Sequence, residues 1–172
     1  MSNEQTGKLW HVYVTRDIAL VPNVAQTEVG YFLDVDPVRV TRFDDVESMG
    51  SAILQAITAG SPKVPTPTRA AFPGPVVLKP AEARTWKAFE RRAAVFTILQ
   101  GSDRTEIAES GRNRSGEWEN SPSQSQKLAA NSTAFDIATR IADCVRNRDD
   151  ISGQVKTNHS DTRPTRPRRR KE

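Results

Sequence analysis

The chain has few of the residues that form disulfides, span membranes or bind metals. Its 172 residues include one cysteine, Cys144, and two histidines, His11 and His159. A single thiol cannot form an internal disulfide, so we expect a reducing, cytoplasmic setting. No apolar run approaches the roughly 20 residues that a membrane-spanning helix needs. The first residues, MSNEQTGK, have neither the basic start nor the apolar stretch of a signal peptide, so we expect none.

Sequence motifs that identify common enzymes are also missing. The chain contains no G-x-G-x-x-G, Walker, G-x-S-x-G or H-E-x-x-H motif. His11 and Cys144 together supply too few ligands for a zinc site, which needs three or four. A Cys144–His11 nucleophile pair stays formally open. Cys144, however, falls beside the apolar stripe of the last predicted helix, which favours a structural role. We therefore expect no cofactor, no metal and no enzymatic activity.

Positive charge is concentrated at the C-terminal end. The whole chain has a net charge of +4, whereas residues 151–172 have seven basic and two acidic residues, which is +5. Residues 1–150 are therefore close to neutral, at −1. We predict a disordered basic tail over residues 149–172 and a flexible N-terminus over residues 1–7. The closely spaced basic residues of the tail are Arg166, Arg168, Arg169, Arg170 and Lys171.

The basic tail supports one alternative function, that of a nucleic-acid-associated protein. Basic tails bind nucleic acid by releasing counterions. This tail has no aromatic residue for base stacking. A nucleic-acid-binding domain is also expected to have its excess positive charge on the fold itself, and the rest of this chain does not.

Alternating apolar residues predict several strands. Leu9–Thr15 places Trp10, Val12 and Val14 on one side. The other predicted strands are Ile18–Val21, ended by Pro22-Asn23, Val29–Val35, Val38–Phe43, Val76–Leu78, Arg104–Ser110 and a short strand starting near Trp118. Asp36-Pro37 predicts a bend, a bulge or a sheet edge. Gly111–Gly116 and Ser121–Gln126 read as a turn and a loop.

Three helices follow from apolar periodicity and capping residues. Asp44 is the predicted N-cap of the first, with Glu47 completing a capping box and Gly60 ending the helix. Its apolar stripe is Val46, Met49, Ile53 and Ile57, widened by Leu54 and Ala56. Asn131 or Ser132 is expected to cap the last helix, roughly Thr133–Asn147, with Phe135, Ala138, Ile141, Ala142 and Val145 on one face.

The densest apolar segment is Thr85–Gln100. Its first half predicts a helix, and its second half predicts a core strand because Val95, Thr97 and Ile98 are β-branched. One continuous helix is the alternative. We expect the aromatic residues Trp86, Phe89 and Phe96 to be buried against Ile53 or Ile57 of the first helix.

A proline-rich crossing, GSPKVPTPTRAAFPGP, occupies Gly60–Pro75 with five prolines in 16 residues. Proline stiffens a chain, so we predict an extended crossing rather than a loose linker. We expect Val64 and Phe72 to point inward. Lys63 and Arg69 should point into solvent as candidate partner-binding residues. The alternative is that Pro62–Pro65, a P-x-x-P match, is a polyproline ligand.

One pair of carboxylates suggests chemistry. Asp34 and Asp36 are two residues apart, so on a regular strand they share a face. With Asp44 and Asp45 they form a candidate Mg²⁺ or acid–base site. The competing interpretation is an exposed strand face followed by helix capping.

Together these patterns predict an α+β fold, with a mainly antiparallel sheet of about 4–6 strands and two to three helices packed on one face. Residues 8–148 should form a single domain. We expect a non-enzymatic protein-binding module of the inhibitor, toxin-immunity or adaptor type. The nucleic-acid-associated protein and an enzyme using Asp34 and Asp36 are the alternatives.

Overall fold

The computed structural model describes residues 8–112 and 118–148, with side chains for residues 8–110 and 125–148. The expectations for the two termini concern residues outside these ranges. The strands are β1 Lys8–Thr15, β2 Ile18–Thr27, β3 Phe32–Arg42, β4 Lys63–Val64, β5 Ala93–Gln100, β6 Arg104–Arg112 and β7 Trp118–Ala129; the helices are α1 Val46–Ala59, α2 Trp86–Glu90 and α3 Ala134–Arg146, with a short 3₁₀ turn over Arg69–Ala71.

One sheet organises the described part of the chain. Its strand order is β3-β2-β1-β5-β6-β7, and every neighbouring pair on this path is antiparallel. β4 adds a short parallel pairing to the end of β2. The fold is therefore α+β with a mainly antiparallel sheet, as the sequence predicts.

The first core lies between the sheet and the two long helices. The alternation predicted for β1 is confirmed, since Trp10, Val12 and Val14 all point into this core. Met49 and Ile53 of α1 and Ile137 and Ile141 of α3 cover them, together with Phe96 of β5. The two helices approach closely: a Cβ added at Gly50 of α1 would lie 2.6 Å from Cδ1 of Phe135 of α3. A side chain at residue 50 would therefore have to displace that ring.

A second, smaller core covers the other face of the sheet. Tyr13 and Leu20 meet Val77, Ala81 and Phe89 there. The segment from Val76 to Arg92, which includes α2, therefore packs on the side opposite α1 and α3.

The second core corrects one expectation about the aromatic residues. Phe96 joins Ile53 in the first core, as expected. Phe89 is fully buried and Trp86 half-buried, but both belong to the second core, so their expected contact with Ile53 or Ile57 is wrong. The physical reason is that α2 ends before β5 begins and lies over the opposite face of the sheet. The division of Thr85–Gln100 into helix and strand is confirmed, and the single continuous helix is wrong.

Two strand boundaries also differ from the prediction. β2 continues through Pro22-Asn23 to Thr27 rather than ending there. Pro22 pairs with Val38 and Asn23 with Val35, so Asp36 and Pro37 have no partner in β2. A bulge in β3 accommodates the unpaired Asp36 and Pro37, and both strands continue past their prolines. The bulge expected at Asp36-Pro37 is thus confirmed, and among the described strands β3 is also a sheet edge.

Composition alone misplaced two other segments, one apolar and one polar. Val76–Leu78 is a turn rather than a strand, with the Leu78 amide donating to the Pro75 carbonyl at 3.2 Å. Ser121–Gln126 belongs to strand β7 rather than to a loop, because pairing with β6 outweighs its weak intrinsic preference. The predicted turn Gly111–Gly116 begins inside β6, which ends at Arg112, and residues 113–117 lie outside the described residues.

Helix caps fall close to the predicted positions, but on different residues. Asp45, not Asp44, caps α1, because its carboxylate accepts from the Ser48 amide at 3.0 Å. Thr133, rather than Asn131 or Ser132, caps α3 in a capping box with Asp136. Gly60 ends α1 at a φ of +71°, where glycine is favoured, as predicted.

Two apolar residues predicted for the helix stripes are exposed. Leu54 of α1 is 49% exposed and Phe135 of α3 is 42% exposed. The ring of Phe135 lies against Gly50 of α1 and stays partly open to solvent.

Candidate functional site

A polar cluster connects the edge strand β3 to the middle of the sheet. Oδ1 of Asp34 lies 2.8 Å from Nδ1 of His11, and Oδ2 of Asp34 accepts a hydrogen bond from the Tyr13 hydroxyl. In the strand order β2 lies between β3 and β1. β1 and β2 pair only over Tyr13–Thr15 and Ile18–Leu20. Asp34 therefore bridges two strands that do not pair directly.

The environment of the cluster keeps Tyr13 protonated. Burial raises the pKa of the Tyr13 hydroxyl well above its ordinary value, and the negative charge and hydrogen bond of Asp34 raise it further. The rings of Phe89 and Trp86 surround it, with centroids 5.7 and 6.4 Å away. At neutral pH the phenol is therefore a hydrogen-bond donor, and it ties the cluster to the second core.

The cluster does not bring the predicted carboxylate pair together. Asp34 is half-buried and engaged with His11 and Tyr13, whereas Asp36 is exposed within the bulge of β3. The bulge breaks the regular alternation on which their shared face depends. Over residues 8–112 and 118–148, no group of three or more His, Cys, Asp or Glu residues could hold a metal ion. The geometry fits an interaction that positions β3.

The other two candidate carboxylates serve local structure. Asp44 pairs with Arg42, with Nη2 and Oδ2 2.9 Å apart, and the Arg42 hydrogen bond lowers the pKa of Asp44. Asp45 caps α1, and the hydrogen bond from the Ser48 amide lowers its pKa. Each carboxylate is thus held in its charged form by its own neighbours.

Cys144 and His11 lie on opposite faces of the sheet. Cys144 packs against the first core, whereas His11 alternates with Trp10 and Val12 and so points to the other side. Gln126 Nε2 lies 3.0 Å from the Cys144 sulfur. Burial raises the pKa of the Cys144 thiol, which disfavours the reactive thiolate. The structure does not form the Cys144–His11 pair that the sequence left open.

The proline crossing is attached to the β2–β3 hairpin. The amides of Gln26 and Glu28 donate to the carbonyls of Pro62 and Val64 at 3.0 and 3.1 Å. The Val29 amide donates to the Thr66 hydroxyl oxygen at 3.3 Å. Part of the P-x-x-P segment is therefore held against its own domain as β4. Backbone carbonyls that a polyproline ligand would present to a partner accept hydrogen bonds from the hairpin instead.

Side-chain directions in the crossing agree with the prediction at three of four residues. Lys63 and Arg69 are exposed, and Val64 is half-buried. Phe72, expected to point inward, is 55% exposed, so this prediction is wrong. The bonds to the hairpin stop at Thr66, and the turn that precedes Phe72 has no core beneath it.

Two findings complete the description of the candidate residues. In the described part of the chain, no helix is long and apolar enough to span a membrane. The basic tail residues, from Arg166 to Lys171, lie outside the described residues. The sequence did not predict the His11–Tyr13–Asp34 cluster. The one feature of the sequence that pointed to it was that His11 and Tyr13 share a face of the predicted strand.

Comparisons with known proteins give structural matches only. No protein-family model matches the chain, and no curated protein matches it. One similar structure is a protein of unknown function, NMB0488, from Neisseria meningitidis, with 14% identity and a TM-score of 0.59 over 83% of this chain and 96% of that one. Another is a chain of the CdiA-CT/CdiI toxin and immunity complex from Yersinia pseudotuberculosis, with 13% identity and a TM-score of 0.53 over 81% of this chain and 97% of that one. At these identities the likeness concerns the fold.

Proposed function

We propose that this chain is a protein-binding module of the toxin-immunity type, which acts by binding a toxic partner and blocking it. The observation that carries the proposal is the fold. It matches 97% of a chain taken from a toxin and immunity complex, so the likeness extends over a whole component of such a pair.

The chemistry of the described side chains supports a binding role rather than catalysis. His11 and Asp34 bond to each other, Asp44 pairs with Arg42, and Asp45 caps α1. The Cys144 thiol has a raised pKa. Apart from the exposed Asp36, the groups that we considered for catalysis are thus engaged in local structure, and we propose that the protein is not an enzyme.

The proline crossing supports the same function by its rigidity. Hydrogen bonds to the β2–β3 hairpin fix Lys63 and Thr66 in place before any partner arrives. A surface that is ordered in advance loses less entropy on binding. Lys63, which this pairing holds, and Arg69, which is exposed in the same crossing, are proposed as partner-binding residues.

Co-expression tests the proposed function directly. The product of the gene that neighbours this one in its native genome would be expressed from an inducible promoter, with and without this chain, and growth followed. We expect the neighbour alone to arrest growth, and this chain to restore growth and co-purify with it. A Phe89→Ala variant, which should weaken the fold, is the control for folded protein.

Two results would contradict the proposal. Growth arrest that persists despite abundant folded chain would show that it is not the immunity partner. Rescue without co-purification, in which the neighbour is chemically altered, would indicate an enzyme.

A further inference from the structure

The middle of the chain has a concentration of positive charge that the near-neutral total conceals. Residues 60–92 contain seven basic and two acidic residues, a net charge of +5. Because residues 1–150 sum to −1, the remainder of that range has a net charge of −6. We call residues 60–92 the basic segment. Over residues 8–148, the basic segment has +5 and the remainder −3, so the charge is unevenly distributed along the domain.

The fold directs this charge into solvent. Val77, Ala81 and Phe89 are buried in the second core and fix the inner side of the segment. Six of its seven basic side chains are exposed: Lys63, Arg69, Lys79, Arg84, Lys87 and Arg91. The seventh, Arg92, is half-buried and points Nη2 towards the carbonyls of Ala81 and Glu82 at 3.5 Å.

The exposed basic side chains have no ion-pair partner within the described residues. The two acidic residues of the segment, Glu82 and Glu90, also form no ion pair there. Four of the seven arginines elsewhere whose side chains are described, Arg42, Arg104, Arg146 and Arg148, do pair with a carboxylate. Lys87 and Arg91 are four residues apart at the end of α2, an arrangement of like charges that is mildly destabilising. The positive surface is thus not explained by the stability of the fold.

We infer that the basic segment is the surface that contacts the partner, and that the partner is a protein with an acidic surface. This inference rests on the proposed function and adds the chemistry of the partner. Electrostatic complementarity speeds encounter and selects the correct partner. Phe72, which is exposed in the same segment, adds an apolar side chain of the kind enriched at protein interfaces.

The charge of the remaining fold favours a protein over a nucleic acid. A nucleic acid is a long polyanion with a charge at every phosphate. Outside the basic segment, residues 8–148 have a net charge of −3, which would oppose such a chain wherever it extended beyond that segment. A protein with a local acidic patch meets the positive surface without that penalty.

Charge reversal on the full-length chain tests the inference. The test variant is Lys87→Glu with Arg91→Glu in the basic segment. The matched control is Lys127→Glu with Arg140→Glu, two exposed basic residues on β7 and α3. Both variants change the net charge equally and retain the tail.

The probes are a fluorescein-labelled oligoglutamate peptide and a fluorescein-labelled oligothymidylate of equal charge. Their binding is measured by fluorescence anisotropy at several salt concentrations.

The inference predicts a selective loss. The test variant should bind oligoglutamate about tenfold more weakly than the wild type, with a reduced salt dependence, and the control variant less than about twofold more weakly. Equal loss in both variants, or no binding of oligoglutamate by the wild type, would overturn it. A greater dependence of oligothymidylate binding on Lys87 and Arg91 would overturn it in favour of nucleic acid.

Failure of the inference can be separated from failure of the proposed function. If the test variant still rescues growth and co-purifies with the neighbouring gene product as the wild type does, the module binds a protein through another surface. If the wild type forms no complex, the proposed function itself fails.

Discussion

At the scale of single residues, most of the polar side chains that suggested catalysis or metal binding in the sequence stabilise the fold instead. Asp34 is the clearest case, because one carboxylate accepts hydrogen bonds from both His11 and Tyr13. The interaction reaches from β3 to β1 at the end of the β1–β2 pairing, where Tyr13 is the last paired residue of β1 and His11 lies beyond it. Its loss should therefore loosen the edge of the sheet.

Replacing Asp34 by alanine tests this role. The buried Tyr13 hydroxyl would lose an acceptor, so we expect the free energy of unfolding to fall by about 1–3 kcal/mol. Asp36→Ala, two residues away and exposed, is the matched control and should change it by less than about 0.5 kcal/mol. Urea unfolding followed by tryptophan fluorescence measures both. Equal effects would show that Asp34 has no special role.

Residue-scale prediction from sequence succeeded where pattern and burial coincide, as at Trp10 and Val12 of β1. It was wrong for Phe72, which has the same side chain as the fully buried Phe89. Whether a phenylalanine is buried depends on which segment lies beneath it, and that is a long-range property. The same limit applies to Asp34, because its partners are more than twenty positions away in sequence.

At the scale of elements, α2 shows how packing replaces intrinsic stability. The helix has five residues, far fewer than an isolated helix needs in water. Thr85 caps it, and Phe89 fixes it to the sheet with no exposed area. Phe89 is thus the largest of the buried side chains, with Val77 and Ala81, that hold the basic segment in position.

Phe89→Ala should remove that anchor. We expect the free energy of unfolding to fall by about 3–5 kcal/mol, because a buried phenylalanine leaves both lost contacts and a cavity. Phe72→Ala, at an exposed phenylalanine in the same segment, should leave unfolding nearly unchanged. The comparison of their urea midpoints checks the account. An unchanged midpoint for Phe89→Ala would place that residue on the surface.

The helix caps predict how stability depends on acid. Hydrogen bonds from Ser48 and Thr133 lower the pKa values of Asp45 and Asp136 below 3.8 in the folded protein. A lowered folded pKa adds stability above the unfolded pKa, and that stability is lost as the pH falls through the folded value. The thermal midpoint should therefore drop as the pH falls below about 4. Asp136→Asn should show a smaller drop, and an identical drop would contradict the assignment.

Elements with strong periodicity were predictable, and elements made by pairing were not. α1, α3, β1 and β5 follow from their apolar patterns. β4 has two residues and no pattern, and it exists because the β2–β3 hairpin supplies backbone donors. β7 is polar and is a strand through its pairing with β6. Caps were misplaced by one or two residues, because several neighbouring side chains were suitable.

At the scale of the whole molecule, the basic surface can be recognised only when the charge of the sequence and the burial pattern of the fold are considered together. The +5 charge of residues 60–92 is countable from the sequence. That Lys79, Arg84, Lys87 and Arg91 lie outward over the face opposite α1 and α3 follows from the burial of Val77, Ala81 and Phe89. Lys63 and Arg69 were proposed from the sequence as partner-binding residues, whereas the exposure of Lys79, Arg84, Lys87 and Arg91 became visible only in the structure.

The central claim, that this chain is a binding module for an acidic protein, is tested most directly by calorimetric titration of the neighbouring gene product with the purified full-length chain. The account predicts saturable heat with one-to-one stoichiometry and a dissociation constant below about 1 μM, as expected for a specific complex. Lys87→Glu with Arg91→Glu should weaken it, and Lys127→Glu with Arg140→Glu should not. The claim would be contradicted if the titration gave no heat and no complex were seen on native gel electrophoresis.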